Sequence, residues 1–97
     1  MSEASPDLSR AVARYTGHVQ GVGFRFTVLR ISASHRVQGF VRNEPDGSVT
    51  VVAEGEPAEV GRFLEAIGGS PLARWIRNST IRWEPPQGGH VGFTIGY

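Results

Sequence analysis

The stretch VQGFVRNEPDGSVTVVAEGE, residues 37–56, constrains the fold more than any other part of the chain. Two runs rich in β-branched residues flank EPDG at 44–47. Its Pro presets φ, its Asp offers a side-chain turn bond, and its Gly tolerates positive φ. This predicts a hairpin with strands over about residues 37–43 and 48–54. Directly after it, EPAEVGRFLEAIGG at 56–69 predicts a helix punctuated at both ends. Pro57 suits the first turn, Glu59 sits near the positive end of the dipole, and Gly68-Gly69 stops the helix. Val60, Phe63, Leu64 and Ile67 form its apolar face. Gly61 inside it costs about 1 kcal/mol relative to Ala, so packing must hold the helix.

Around this centre the remaining elements fall into place. RAVARYTGH, from Arg10, predicts a strand ending near Thr16, with Val12 and Tyr15 as its packing residues. FRFTVLRISASH at 24–35 sets Phe26, Leu29 and Ala33 at helical spacing, broadened by Val28 and Ile31. ARWIRNSTIRWE is strand-like, with the relation of Trp75, Ile81 and Trp83 left open between one shared face and a bulge. PPQGG is a loop, and HVGFTIGY predicts a last strand with Val91, Phe93 and Ile95 on one face. The expected order is β-α-β-β-α-β with an extra C-terminal strand. Two helices covering one face of a mostly antiparallel sheet make a two-layer α+β sandwich. The small, polar opening, residues 1–9, is expected to be frayed, leaving residues 10–97 as one domain.

Composition narrows the chemistry. Apolar residues at 39% and charged residues at 20% are those of a soluble globular protein. A net charge of +1 argues against a polyanionic nucleic-acid partner. All ten basic residues are arginine, so anion recognition falls to guanidinium groups and backbone N–H groups. The absence of cysteine removes thiol nucleophiles, thiolate metal sites and disulfides, in keeping with a cytoplasmic setting. No apolar run approaches the roughly 20 residues of a membrane span, so no membrane partner is expected. His18, His35 and His90 are scattered without ligand spacing, and all three are expected at the surface.

GHVQGVGFR, residues 17–25, joins the first strand to the first helix. Such a turn aims unpaired N–H groups and the positive helix end at one point. Glycines at 17, 21 and 23 let those groups converge into an anion nest, and Arg25 in the first helical turn adds a two-pronged donor. Taken alone, the stretch is equally compatible with an ordinary Gly-rich turn and a solvated arginine. It lacks the Lys-Ser/Thr ending of a Walker loop and does not match G-x-G-x-x-G. Asn43, at the end of the second strand, has two readings as well. Asn bonds its own backbone near turns, and its amide can also donate to and accept from a water molecule.

Together, GHVQGVGFR at 17–25 and GFVRNEPDGSVTVVAEG at 39–55 resemble the two signatures of the acylphosphatases, small enzymes that hydrolyse carboxyl-phosphate anhydrides. The resemblance runs from about residue 10 to the C-terminus. It implies a ferredoxin-like fold and a monomer that needs no metal or cofactor and acts on a small acyl phosphate. It further implies that Arg25 and the backbone of Gln20, Gly21, Val22, Gly23, Phe24 and Arg25 grip the phosphoryl group, while Asn43 orients the attacking water. The chain departs from the family at Tyr15, where an aliphatic residue is usual, in the weak alternation of WIRNSTIRWE, and at Gly96, where a larger residue is usual.

Two other readings compete. One is a non-catalytic module of the same fold that binds carbamoyl phosphate or a related phosphoanhydride within a hydrogenase-maturation carbamoyltransferase. Against it, the chain is expected to end at Tyr97 with no linker and no zinc-type cysteines. The other is a nucleic-acid-binding sandwich of similar order, which needs exposed aromatics on the middle strands and a basic surface. Phe40 is the hairpin's only aromatic, and the charge is near neutral.

Overall fold

The EPDG hairpin forms as its turn chemistry demands, and the rest of the sheet is built outward from it. A computed structural model describes residues 7–96. The hairpin strands are β2 (Gln38–Asn43) and β3 (Val49–Gly55), paired antiparallel with Val41 opposite Val51 and Asn43 opposite Val49. Asp46 closes the turn by accepting from the Ser48 backbone N–H (2.9 Å) and the Ser48 hydroxyl (2.6 Å). β1 (Ser9–Gly17) lies on the other side of β3, with Ala13 opposite Val51, and β4 (Ile76–Glu84) forms one edge beyond it. β5 (Phe93–Ile95) forms the other edge, giving the order β4-β1-β3-β2-β5. β5 runs parallel to β2, whereas β1 with β3, β1 with β4 and β2 with β3 pair antiparallel, so the sheet is mixed but mostly antiparallel, as expected. The short last strand reaches β2's free edge in that direction after the chain has crossed from β4. Of the opening segment expected to be frayed, residues 1–6 lie outside the described residues, and Ser9 begins β1.

The two helices, α1 (Phe24–Ser32) and α2 (Pro57–Gly68), cover one face of the sheet in the ferredoxin-like α+β arrangement. Alternation decides which residues meet them. Ala11, Ala13 and Tyr15 of β1 and Val49, Val51 and Ala53 of β3 are buried towards the helices. Val12 faces the opposite side, because an odd offset from Tyr15 places it across the pleat. Tyr15 fills its aliphatic-type position with its ring 5.3 Å from that of Phe24, and burial pushes its hydroxyl pKa up to about 12.

α2 buries Val60, Phe63, Leu64 and Ile67, the face its spacing predicts. α1 is shorter than expected and differently phased. Its buried residues are Phe24, Val28 and Ser32, with Ile31 packed beside them, whereas Phe26 is 62% exposed and Ala33 is exposed as well. Counting from Phe24 in steps of four gives the sheet-facing stripe, and Phe26 lies about 200° around the helix from it. After Ser32 the chain tightens, the backbone N–H groups of Ala33, Ser34 and His35 bonding carbonyls three residues back.

Between α2 and β4 the chain makes a 3₁₀ turn, Pro71–Trp75, so Trp75 is not part of β4. Ile81 and Trp83 do share a face: they stand opposite Ala13 and Ala11, on the helix side of the sheet. Each is 48% exposed because β4 is the edge strand. The irregularity in this pairing lies between Thr16 and Gly17. His35 and His90 are partly buried rather than at the surface. The first packs against Phe63 (ring centroids 5.7 Å) and the second against Phe40 (6.0 Å).

Candidate active site

The ends of β1 and β2 and the start of β3 lie together, since Tyr15 and Asn43 both pair with Val49. That register carries the 17–25 loop to the end of the sheet where Asn43 sits. The loop is held by its apolar residues: Val19 and Phe24 are buried and Val22 packs against the core. Gly21 and Gly23 alternate with these anchors, exposed, at φ 79° and 78°. The left-handed conformation costs an L side chain roughly 1–2 kcal/mol, so glycine is suited to both positions.

Gly23 is also the N-cap of α1. It offers no side-chain cap, and the first helical turn contains no acidic residue. The first backbone bond of the helix runs from the Thr27 N–H to the Gly23 carbonyl (3.0 Å). Helix geometry leaves the N–H groups of Phe24 and Phe26 without intrahelical partners, at the end that favours an anion. Arg25, half-buried, belongs to this turn.

Asn43 closes the other side of the site. Its Oδ1 is buried and has no hydrogen-bond partner among the described residues. A buried acceptor left open costs about 1–3 kcal/mol, so its retention calls for a reason beyond stability. The Asn43 turn role weighed from the sequence falls instead to Asp46. The loop and the hairpin are tied by a contact the sequence did not reveal: Gln20 Nε2 donates to the Glu44 carbonyl (2.8 Å) and to the Ser48 carbonyl (2.9 Å). His18 is exposed, its ring 5.6 Å from that of Trp75 and its backbone N–H bonded to the Trp75 carbonyl (2.9 Å).

A family model of acylphosphatases matches residues 11–95. The chain belongs to the acylphosphatase family. It is 45% identical over 80 residues to the acylphosphatase of Thermococcus kodakarensis, covering 81% of this chain and 87% of that one. The crystal structure of acylphosphatase from Bacillus subtilis superposes with a TM-score of 0.79 at 33% identity, covering 93% of this chain and 99% of that one. Full-length HypF in its phosphate- and nucleotide-bound form gives a TM-score of 0.83 at 23% identity, but this chain spans 13% of it. That last likeness is one of fold. Free-standing acylphosphatases match over nearly their whole length, so the module reading is not favoured.

The far end of the sheet has a different character. Glu54 of β3 is 7% exposed and fully engaged. Its Oε2 accepts from Arg10 Nη1 (2.9 Å) and the Gln87 N–H (2.9 Å), and its Oε1 accepts from the Gly88 N–H (3.0 Å). Burial raises the carboxyl's pKa, but these donors outweigh it and hold the group below the usual carboxylate value. Beside it opens a cleft of about 850 Å³, bordered by Arg36, Glu56, Glu59 and Arg62. It lies at the opposite end from the loop and Asn43. Among the described residues no helix is long and apolar enough to cross a membrane.

Proposed function

We propose that Arg25, the backbone N–H groups of residues 20–25 and the Asn43 amide are the machinery with which this chain hydrolyses the carboxyl-phosphate bond of acyl phosphates. The buried, open Asn43 Oδ1, at the same end of the sheet as a curled loop and an uncapped helix start, carries this reading. The loop N–H groups and the Arg25 fork take the phosphoryl oxygens. Asn43 Oδ1 accepts a hydrogen bond from water and sets it in line with the bond to be broken. The water oxygen bonds to phosphorus, the carboxylate departs with the electron pair of the P–O bond, and the water proton passes to a phosphoryl oxygen. Because the leaving group is good and phosphoryl transfer is loose, positioning and charge stabilisation supply the catalysis without a strong base. Every group in this scheme comes from one chain, which supports a monomeric enzyme, and the cysteine-free composition is in keeping with the cytoplasm.

The test is kinetic, with benzoyl phosphate as substrate and EDTA present. Arg25→Ala lowers turnover by at least ~10²–10³, about 3–4 kcal/mol of barrier, while the protein stays folded. Arg25→Lys restores little, because an ammonium does not reproduce the fork. Asn43→Ala depresses kcat more than it weakens inhibition by inorganic phosphate. Near-normal turnover in both alanine variants would overturn the assignment.

A further inference from the structure

We propose that the Gln20 side chain is a positioning residue, a rigid tie that sets Asn43 against the phosphate loop. Its Nε2 group spends both hydrogens on hairpin carbonyls, those of Glu44 (2.8 Å) and Ser48 (2.9 Å). These two residues form the mouth of the turn, since the Glu44 N–H itself bonds the Ser48 carbonyl (2.8 Å). Glu44 directly follows Asn43, and Val49, which follows Ser48, pairs with Asn43, so Gln20 holds the backbone one peptide beyond Asn43 on its own strand and the peptide leading into its cross-strand partner.

Both ends of the tie are independently fixed. On the loop side, buried Val19 precedes Gln20, and Val22, two residues on, packs against the core. On the hairpin side, Ser48 is buried and bonded to Asp46, whose carboxylate also pairs with Arg14. A link between two rigid bodies fixes their relative placement, and an in-line water tolerates little misplacement. The position favours a double donor: a carboxylate there would face two carbonyl oxygens, and an apolar group would cut the link to the loop, leaving each carbonyl with its one bond inside the turn, from the Glu44 and Gly47 N–H groups. The inference rests on the water-orienting reading of Asn43.

The test is a double-mutant cycle. Gln20→Met lowers kcat about 10-fold, while the inhibition constant of inorganic phosphate moves less than about 3-fold. In an Asn43→Ala background the same substitution changes kcat less than about 2-fold. An equal loss in both backgrounds overturns the proposal, as does a parallel loss of phosphate binding. Gln20→Glu supplies a second route should the methionine variant not fold. Its kcat recovers as pH falls through the new carboxyl's pKa, because the protonated acid donates to a carbonyl again, and a flat profile relative to the parent overturns the proposal. If Asn43→Ala leaves turnover near normal, the water reading fails on its own. The tie is then judged by the Asn43 side-chain amide signal in ¹H–¹⁵N spectra, which shifts in Gln20→Met if Gln20 places it and stays put if it does not.

Discussion

Glu54 and Asn43, near the two ends of the central strands, handle their polar atoms in opposite ways. At the far end, both carboxylate oxygens of Glu54 are satisfied, by Arg10 and two backbone N–H groups of the 85–92 segment. At the loop end, Asn43 Oδ1 is buried and open, and α1 has no acidic residue in its first turn, where α2 at the far end has Glu59. Closed networks contribute to stability, whereas open ones hold back interactions for a ligand or a transition state. The cleft of about 850 Å³ lies at the Glu54 end, away from the loop and Asn43. The contrast predicts that substitutions at one end reduce stability and leave turnover alone, and that those at the other do the reverse.

Glu54→Gln tests the closed end and carries the largest stability effect. Replacing a buried, hydrogen-bonded carboxylate by an amide brings NH₂ hydrogens against N–H donors, and is expected to lower unfolding free energy by about 1–3 kcal/mol. Turnover of the folded variant stays within about 2-fold, as expected of a change remote from the reacting groups. The pH dependence has a definite sign. The folded-state pKa is depressed, so the stabilisation is present above the unfolded value of about 4.3 and lost as pH falls through the folded pKa. Urea denaturation between pH 7 and pH 3 therefore falls less steeply for Glu54→Gln than for the parent. A collapse of turnover in the folded variant would show that the two ends are not separable.

Gly23→Ala tests the open end. Among the described residues no atom beyond the adjoining chain lies within 4 Å of the added methyl group, so the cost is backbone strain alone, about 1–2 kcal/mol if the φ of 78° is kept. If the strain is relieved by rotation instead, the N–H groups leave their convergence, and turnover falls with phosphate affinity. Gly23→Asn recovers part of both, because Asn tolerates the left-handed region better. Unchanged kinetics and phosphate inhibition in Gly23→Ala would mean that this curl is not needed.

Legibility from sequence did not follow that divide but the locality of each signal. The hairpin and α2 were readable because their signals are local: turn residues at fixed offsets and a stripe at i, i+3, i+4, i+7. The phase of α1 was not, since Val28 and Ile31 suit either of two faces and only docking on the sheet chooses Phe24, Val28 and Ser32. The loop glycines and Arg25 stood out as a pattern and Asn43 as an awkward strand-end residue. The Gln20 tie spans 24 and 28 residues to its two acceptors, which are backbone carbonyls, and backbone acceptors leave no mark in residue types. The Glu54 cluster escaped for the same reason, because two of its donors are main-chain N–H groups reached 33 and 34 residues later.

Gly96→Ala offers the smallest effect and the finest discrimination. Gly96 follows β5 and donates its N–H to the Val41 carbonyl (2.8 Å), beside Arg42 and therefore near the open end. It is not among the glycines with positive φ, and an added Cβ would meet the Arg42 Cβ at 3.4 Å and the Phe40 ring at 3.6 Å, both ordinary contacts. An alanine there is therefore admissible on steric grounds. Alanine narrows the unfolded ensemble and is expected to raise stability by about 0.4–1 kcal/mol, read as a higher denaturation midpoint. Turnover stays unchanged, because Gly96 supplies no group to the loop or to Asn43. If kcat fell while stability rose, the open end would extend along the β2–β5 edge, and nearness to Asn43, rather than uncommitted polar groups, would define the site.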